Sequence, residues 1–69
     1  MFDTNRFKAT LVLNGLKAED VARLLGVNIT TYYRKLNNDG DFSRSEINTM
    51  IDSFQIEDPI SIFFAKELT

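Results

Sequence analysis

Few side chains in this sequence can do covalent or metal chemistry, and their spacing narrows the choice further. The chain of 69 residues has no histidine and no cysteine. That removes the imidazole base, the thiolate nucleophile and the usual zinc ligands, so no enzyme built on a nucleophile–base pair is expected. Oxygen ligands are left, and Asn37-Asn38-Asp39-Gly40-Asp41 is the nearest approach to a calcium loop. It lacks the alternating ligands and the closing glutamate of such loops. We read it as a turn and expect neither a metal nor another cofactor.

What remains is charge and hydrogen bonding. The net charge is −2, which taken alone argues against a nucleic-acid partner. Its distribution is uneven. Residues 1–44 carry seven Lys and Arg against five Asp and Glu, and residues 45–69 carry one against five. A charged partner feels the local field rather than the sum, so the first two thirds of the chain stay open to an anionic one. Met1-Phe2-Asp3-Thr4 has no basic segment leading into an apolar one, so no signal peptide is expected. The longest apolar run, Ile62-Phe63-Phe64-Ala65, is far shorter than the ~20 residues of a membrane helix. These features together suggest a cytoplasmic protein.

The elements that must position any binding face are helical throughout, and the length leaves room for a single domain over residues 1–69. A domain of this size buries only ~60% of its unfolded surface, which makes its stability marginal. Five helices are expected. The first runs from about residue 4 to 14, capped by Asp3 or Thr4 and ended by Gly15, with Phe7 and Leu11 facing inward. The second, about 18 to 25, has Val21, Ala22, Leu24 and Leu25 as its apolar face and stops at Gly26. Glu19 and Asp20 lie in its first turn, where the helix dipole favours negative charge. The third starts after the cap Asn28 and runs to about Leu36. Its Tyr32 and Leu36 point inward, while Ile29, Thr30, Tyr33, Arg34 and Asn37 point outward. Thr30-Thr31-Tyr32-Tyr33 alone favours a strand, but the caps and the 3.6-residue period agree on helix.

The fourth start is the clearest local signal. Ser43-Arg44-Ser45-Glu46 has the pattern of a capping box, flanked by Phe42 and Ile47 at staple positions. Ile47, Met50, Ile51 and Phe54 follow at helical spacing as core. The fifth helix opens on Asp58 with Pro59 at its first position. Ile60, Phe63 and Phe64 form its inner face, and Ile62 lies off it. Phe2 and Ile62 are the expected exposed apolar contacts.

The second and third helices, joined at Gly26, read as a helix-turn-helix. Ala22 is small where the two cross, Gly26 turns the chain, Val27 plugs the turn and Tyr32 anchors the third helix. From Glu19 through Val27 and on from Asn28 to Asn37, the stretch resembles the Cro/C1-type helix-turn-helix family of phage and bacterial regulators. More narrowly, Tyr33-Arg34-Lys35-Leu36, Phe42-Ser43-Arg44-Ser45-Glu46-Ile47 and Phe63-Phe64 resemble the short Cro-like proteins of phages of Gram-positive bacteria. The resemblance spans roughly residues 7 to 68.

It implies an all-α, lambda-repressor-like domain with a central helix-turn-helix, whose third helix enters the major groove of operator DNA. Carried over by position, the base-reading residues are Asn28, Ile29, Thr30, Tyr33, Arg34 and Asn37. Asn and Arg suit bidentate contacts to adenine and guanine, and Ile29 and Thr30 suit thymine methyl groups. Tyr33 has a second choice, packing on the loop at 37–41. Lys17, Lys35 and Arg44 are the phosphate contacts, which set register rather than sequence.

Two positions depart from the family pattern. Lys17 stands where a capping threonine is common, and Ala18 where a phosphate-clamping glutamine is common. The expected partner is double-stranded operator DNA, met by a repressor acting as a homodimer or a monomer. The alternative is a modulator that uses the same fold to bind another repressor protein, favoured by the acidic C-terminal third and by Ala18.

Overall fold

The computed structural model describes residues 2–54, 56 and 58–63. Among them are five helices and no strand: α1 (Thr4–Leu13), α2 (Ala18–Leu25), α3 (Ile29–Asn37), α4 (Arg44–Ser53) and α5 (Pro59–Phe63). None is long and apolar enough to cross a membrane.

Local chemistry accounts for where each helix starts and stops. Asp3 caps α1 by accepting the Arg6 N–H at 3.0 Å, and Gly15 leaves the helix at φ +67°. Gly26 takes the left-handed conformation at φ +72°. It donates its N–H to the Arg23 carbonyl at 3.1 Å, and Val27 donates to Ala22 at 3.0 Å. Orphan carbonyls at the end of α2 are thereby satisfied. At α4 both halves of the capping box form: Ser43 Oγ accepts the Glu46 N–H at 3.1 Å, and Glu46 Oε1 accepts the Ser43 N–H at 2.8 Å. Asp58 accepts the Ser61 N–H at 3.2 Å and also takes the Ser61 hydroxyl.

α2 packs against α3 and α4, and α1 against α5. The core is built on rings. Phe2 lies 5.2 Å from Phe7, 5.9 Å from Phe42 and 5.7 Å from Phe63. Phe42 lies 6.0 Å from Phe7 and 6.3 Å from Tyr32. These are tilted arrangements of the kind that aromatic quadrupoles favour. Val21, Ala22, Leu11, Leu36, Met50, Phe54 and Ile62 complete the buried set among the described residues, with Ile47 and Ile51 packed on its edge.

Three sequence expectations need correction. Phe2 is buried, not exposed. Its N–H donates to Asp39 Oδ1 at 3.2 Å, and its ring fills space that only a glycine at position 40 leaves open, because a Cβ there would collide with the ring.

Ile62 is buried and Ile60 is 53% exposed, the reverse of the expected α5 phase. The Ile62 carbonyl accepts the Asp3 N–H at 2.7 Å, which pins that side of α5 to the N-terminal segment. Residues two apart on a helix point about 200° apart, so seating Ile62 turns Ile60 outward. Leu24 is 39% exposed, at the edge of the α2 stripe rather than in it. Phe64, expected on the inner face of α5, lies outside the described residues.

Phe2→Ala should therefore lower the unfolding free energy by about 3 kcal/mol or more, as for other core Phe truncations. Ile60→Ala should stay within about 0.5 kcal/mol. Urea or thermal unfolding of the two variants checks this, and comparable losses would contradict the assigned phase of α5.

Candidate nucleic-acid interface

The exposed face of α3 follows from what anchors its other side. Tyr32 and Leu36, four residues apart, are 1% and 4% exposed. Burial of Tyr32, reinforced by the neighbouring Tyr33 phenol, pushes its hydroxyl up to about 12, so it stays neutral at any physiological pH. With that side fixed, Ile29, Thr30, Tyr33, Arg34 and Asn37 are all exposed.

Their states differ. Asn28 is the α3 cap, and its Oδ1 accepts the Thr31 N–H at 2.7 Å. A bidentate contact to adenine needs the amide oxygen and nitrogen together, and in Asn28 that oxygen is already engaged. Arg34 is exposed, and among the described residues its guanidinium has no ion-pair partner. Tyr33 is 47% exposed and leans edge-on to Tyr32, with ring centroids 5.3 Å apart. It shares a shallow notch with Lys8, Val12, Leu16 and Ala18. Lys8 is a cation that the sequence reading did not single out. Only the docking of α1 beside α3 brings it there, and no local pattern announces it.

The three expected phosphate contacts are placed differently. Lys17 is exposed at the N-terminus of α2. Its ammonium cannot accept a capping bond; instead the Asp20 carboxylate reaches back to the Lys17 N–H at 2.8 Å. Arg44 is exposed at the first position of α4. Lys35 is paired: its Nζ is 3.1 Å from Glu46 Oε1, with side chains 25% and 15% exposed. That bridge brings the first turn of α4, and Arg44 with it, beside the C-terminal half of α3.

Burial alone would raise the pKa of Glu46. The Ser43 N–H, the Lys35 ammonium and the Ser43 hydroxyl outweigh that and hold it below the usual carboxylate range. Asn37 ends α3 and the chain turns over residues 38–41, with Asp39 at φ +54° and the Asp41 N–H bonded to the Lys35 carbonyl at 2.9 Å.

Comparison of the chain with protein-family models, with curated proteins and with solved structures finds no match.

A carboxylate with a depressed folded-state pKa stabilises the fold above its unfolded value of about 4.3, and that contribution is lost as the pH falls through the folded value. Glu46→Gln should thus flatten the fall in stability below about pH 4.3, measured by urea unfolding across pH. An unchanged acid slope would remove Glu46 as its source. Ser43→Ala should cost about 1 kcal/mol at neutral pH through the lost cap, read as a lower melting temperature.

Proposed function

We propose that the chain is a Cro-like, sequence-specific DNA-binding transcriptional regulator. In this reading α2, the Gly26 turn and α3 form a helix-turn-helix, and α3 lies in the major groove of an operator. The observation that carries it is the two-sided character of α3. Tyr32 and Leu36 are locked in the core, while Thr30, Tyr33, Arg34 and Asn37 stand exposed on one short, capped helix. Arg34, with its fork unengaged by the described residues, is suited to the O6 and N7 acceptors of guanine. Asn37 offers both a donor and an acceptor to adenine, and Ile29 and Thr30 offer methyl groups to thymine. Lys17, Arg44 and Lys8 supply phosphate contacts around this face, setting affinity and register. Regulation follows by occupying a promoter and excluding polymerase, without catalysis.

A second reading is favoured by a different face. Val12 and Leu13 on α1 are 76% and 86% exposed, and the Asp20 carboxylate occupies the start of α2, where a phosphate would otherwise approach. A protein-interaction modulator that binds another regulator would use such an apolar surface and tolerate such a carboxylate.

Selection of bound duplexes from a random pool at physiological salt tests the two. An enriched sequence supports the operator reading. If it is a palindrome, the protein acts as a dimer with half-sites about 34 Å apart; a single site indicates a monomer. On the enriched duplex, Arg34→Ala should cost about 1–3 kcal/mol and relax preference at one base pair. No enrichment rejects the operator reading in favour of the modulator.

A further inference from the structure

We propose that Lys35, although it lies on the face read as DNA-binding, is a positioning residue. It ties α3 to the first turn of α4 through Glu46 and so sets the angle at which α3 presents Arg34 and its neighbours. The inference rests on the DNA-binding reading of α3 for its consequence, and on the Lys35–Glu46 geometry for its substance.

Lys35 is held at both ends. Its carbonyl accepts the Asp41 N–H at 2.9 Å, and its ammonium donates to Glu46 Oε1 at 3.1 Å. The receiving carboxylate is itself fixed, because the same Oε1 accepts the Ser43 N–H at 2.8 Å. The Glu46 backbone is held in turn by Ser43 Oγ at 3.1 Å. The bridge therefore ends on a capped helix terminus rather than on a mobile surface side chain.

An exposed ion pair contributes little, but here the side chains are only 25% and 15% exposed, and water screens the pair less. For Lys35 to reach a phosphate it would have to leave Glu46, leaving a partly buried carboxylate without its counter-charge beside a polyanion. Arg34, one residue earlier, is exposed and carries no such restraint. Adjacent cations on one helix thus divide the work: one stands free to contact, and the other fixes the angle.

The test compares Lys35→Met, Lys35→Arg, Glu46→Gln and Lys17→Met on the duplex enriched by selection, titrated over a salt series. A lost phosphate contact lowers the dependence of log affinity on log salt. Lys35→Met should weaken binding about tenfold, the scale of one charge-assisted hydrogen bond, at an unchanged salt slope. Lys35→Arg should recover most of that loss. Glu46→Gln keeps an acceptor for the Ser43 N–H and should also weaken binding. Lys17→Met marks the change in slope when a phosphate-contacting cation is removed.

A slope reduced in Lys35→Met as much as in Lys17→Met overturns the proposal. So does tighter, more salt-dependent binding by Glu46→Gln, which would show Lys35 released onto a phosphate. A measurement without DNA separates this from failure of the operator reading. In an NMR pH titration, backbone amides of residues 30–37 should follow the Glu46 carboxyl in the unmodified chain and stop following it in Lys35→Met. If they do not follow it in the unmodified chain, the proposal fails whether or not any duplex binds. If they follow it and no duplex is enriched, the tether stands and only the operator reading falls.

Discussion

The ring of Phe42 is the contact on which most of this structure depends. It sits between the N-terminal segment, α1 and α3, within 5.9 to 6.3 Å of Phe2, Phe7 and Tyr32. It also immediately precedes Ser43, the cap of α4. One side chain thus joins the anchor of α3 to the start of α4. In a domain of this size there are few large apolar side chains to share the burial. Aromatic rings bury more area per residue than any other type, and six of the twelve buried hydrophobic residues among those described are rings: Phe2, Phe7, Tyr32, Phe42, Phe54 and Phe63.

From that contact the orientation of α3 follows in steps. Tyr32 against Phe42 fixes the rotation of α3 about its own axis. Leu36, one turn later, fixes its other end. The turn at 38–41 then doubles back, and its Asp41 N–H and Gly40 N–H return to the carbonyls of Lys35 and Leu36. The Lys35–Glu46 pair closes the same loop through side chains. Packing sets which face is outward, and polar contacts hold the tilt. These are separable jobs, since apolar burial has no direction while hydrogen bonds do.

The charge pattern gains meaning at this level. The chain carries a net −2, yet several carboxylates are turned to local use. Asp3 and Asp58 cap helices, Asp20 holds the start of α2, and Glu46 serves the α4 cap and Lys35. A carboxylate engaged by N–H donors and a lysine projects a weaker field than its formal charge implies. An acidic composition is therefore compatible with a helix face that presents the exposed Arg34.

Local chemistry alone was enough to delimit the helices. The caps at Asp3, Asn28, Ser43 and Asp58, the glycines at 15 and 26 and the spacing of Tyr32 and Leu36 are short-range signals, readable within a few residues. They outweighed the strand preference of Thr30 to Tyr33 because capping and period act on the backbone directly. They also placed the exposed residues of α3. What no local pattern carried was the rotation of α5, the burial of Phe2, the exposure of Leu24, the approach of Lys8 to Tyr33 and the pairing of Lys35. The described part of α5, Pro59–Phe63, holds too few turns for periodicity to set its phase, and the Asp3 bond to Ile62 decided it. A residue outside any helix has no period at all, so the gap above Gly40 decided Phe2. A cation on a helix surface looks the same in sequence whether it faces solvent or a carboxylate eleven residues on. Only the packing of α4 against its neighbours brings Glu46 to Lys35, because long-range contact depends on where whole elements dock, and that is decided by the shared core.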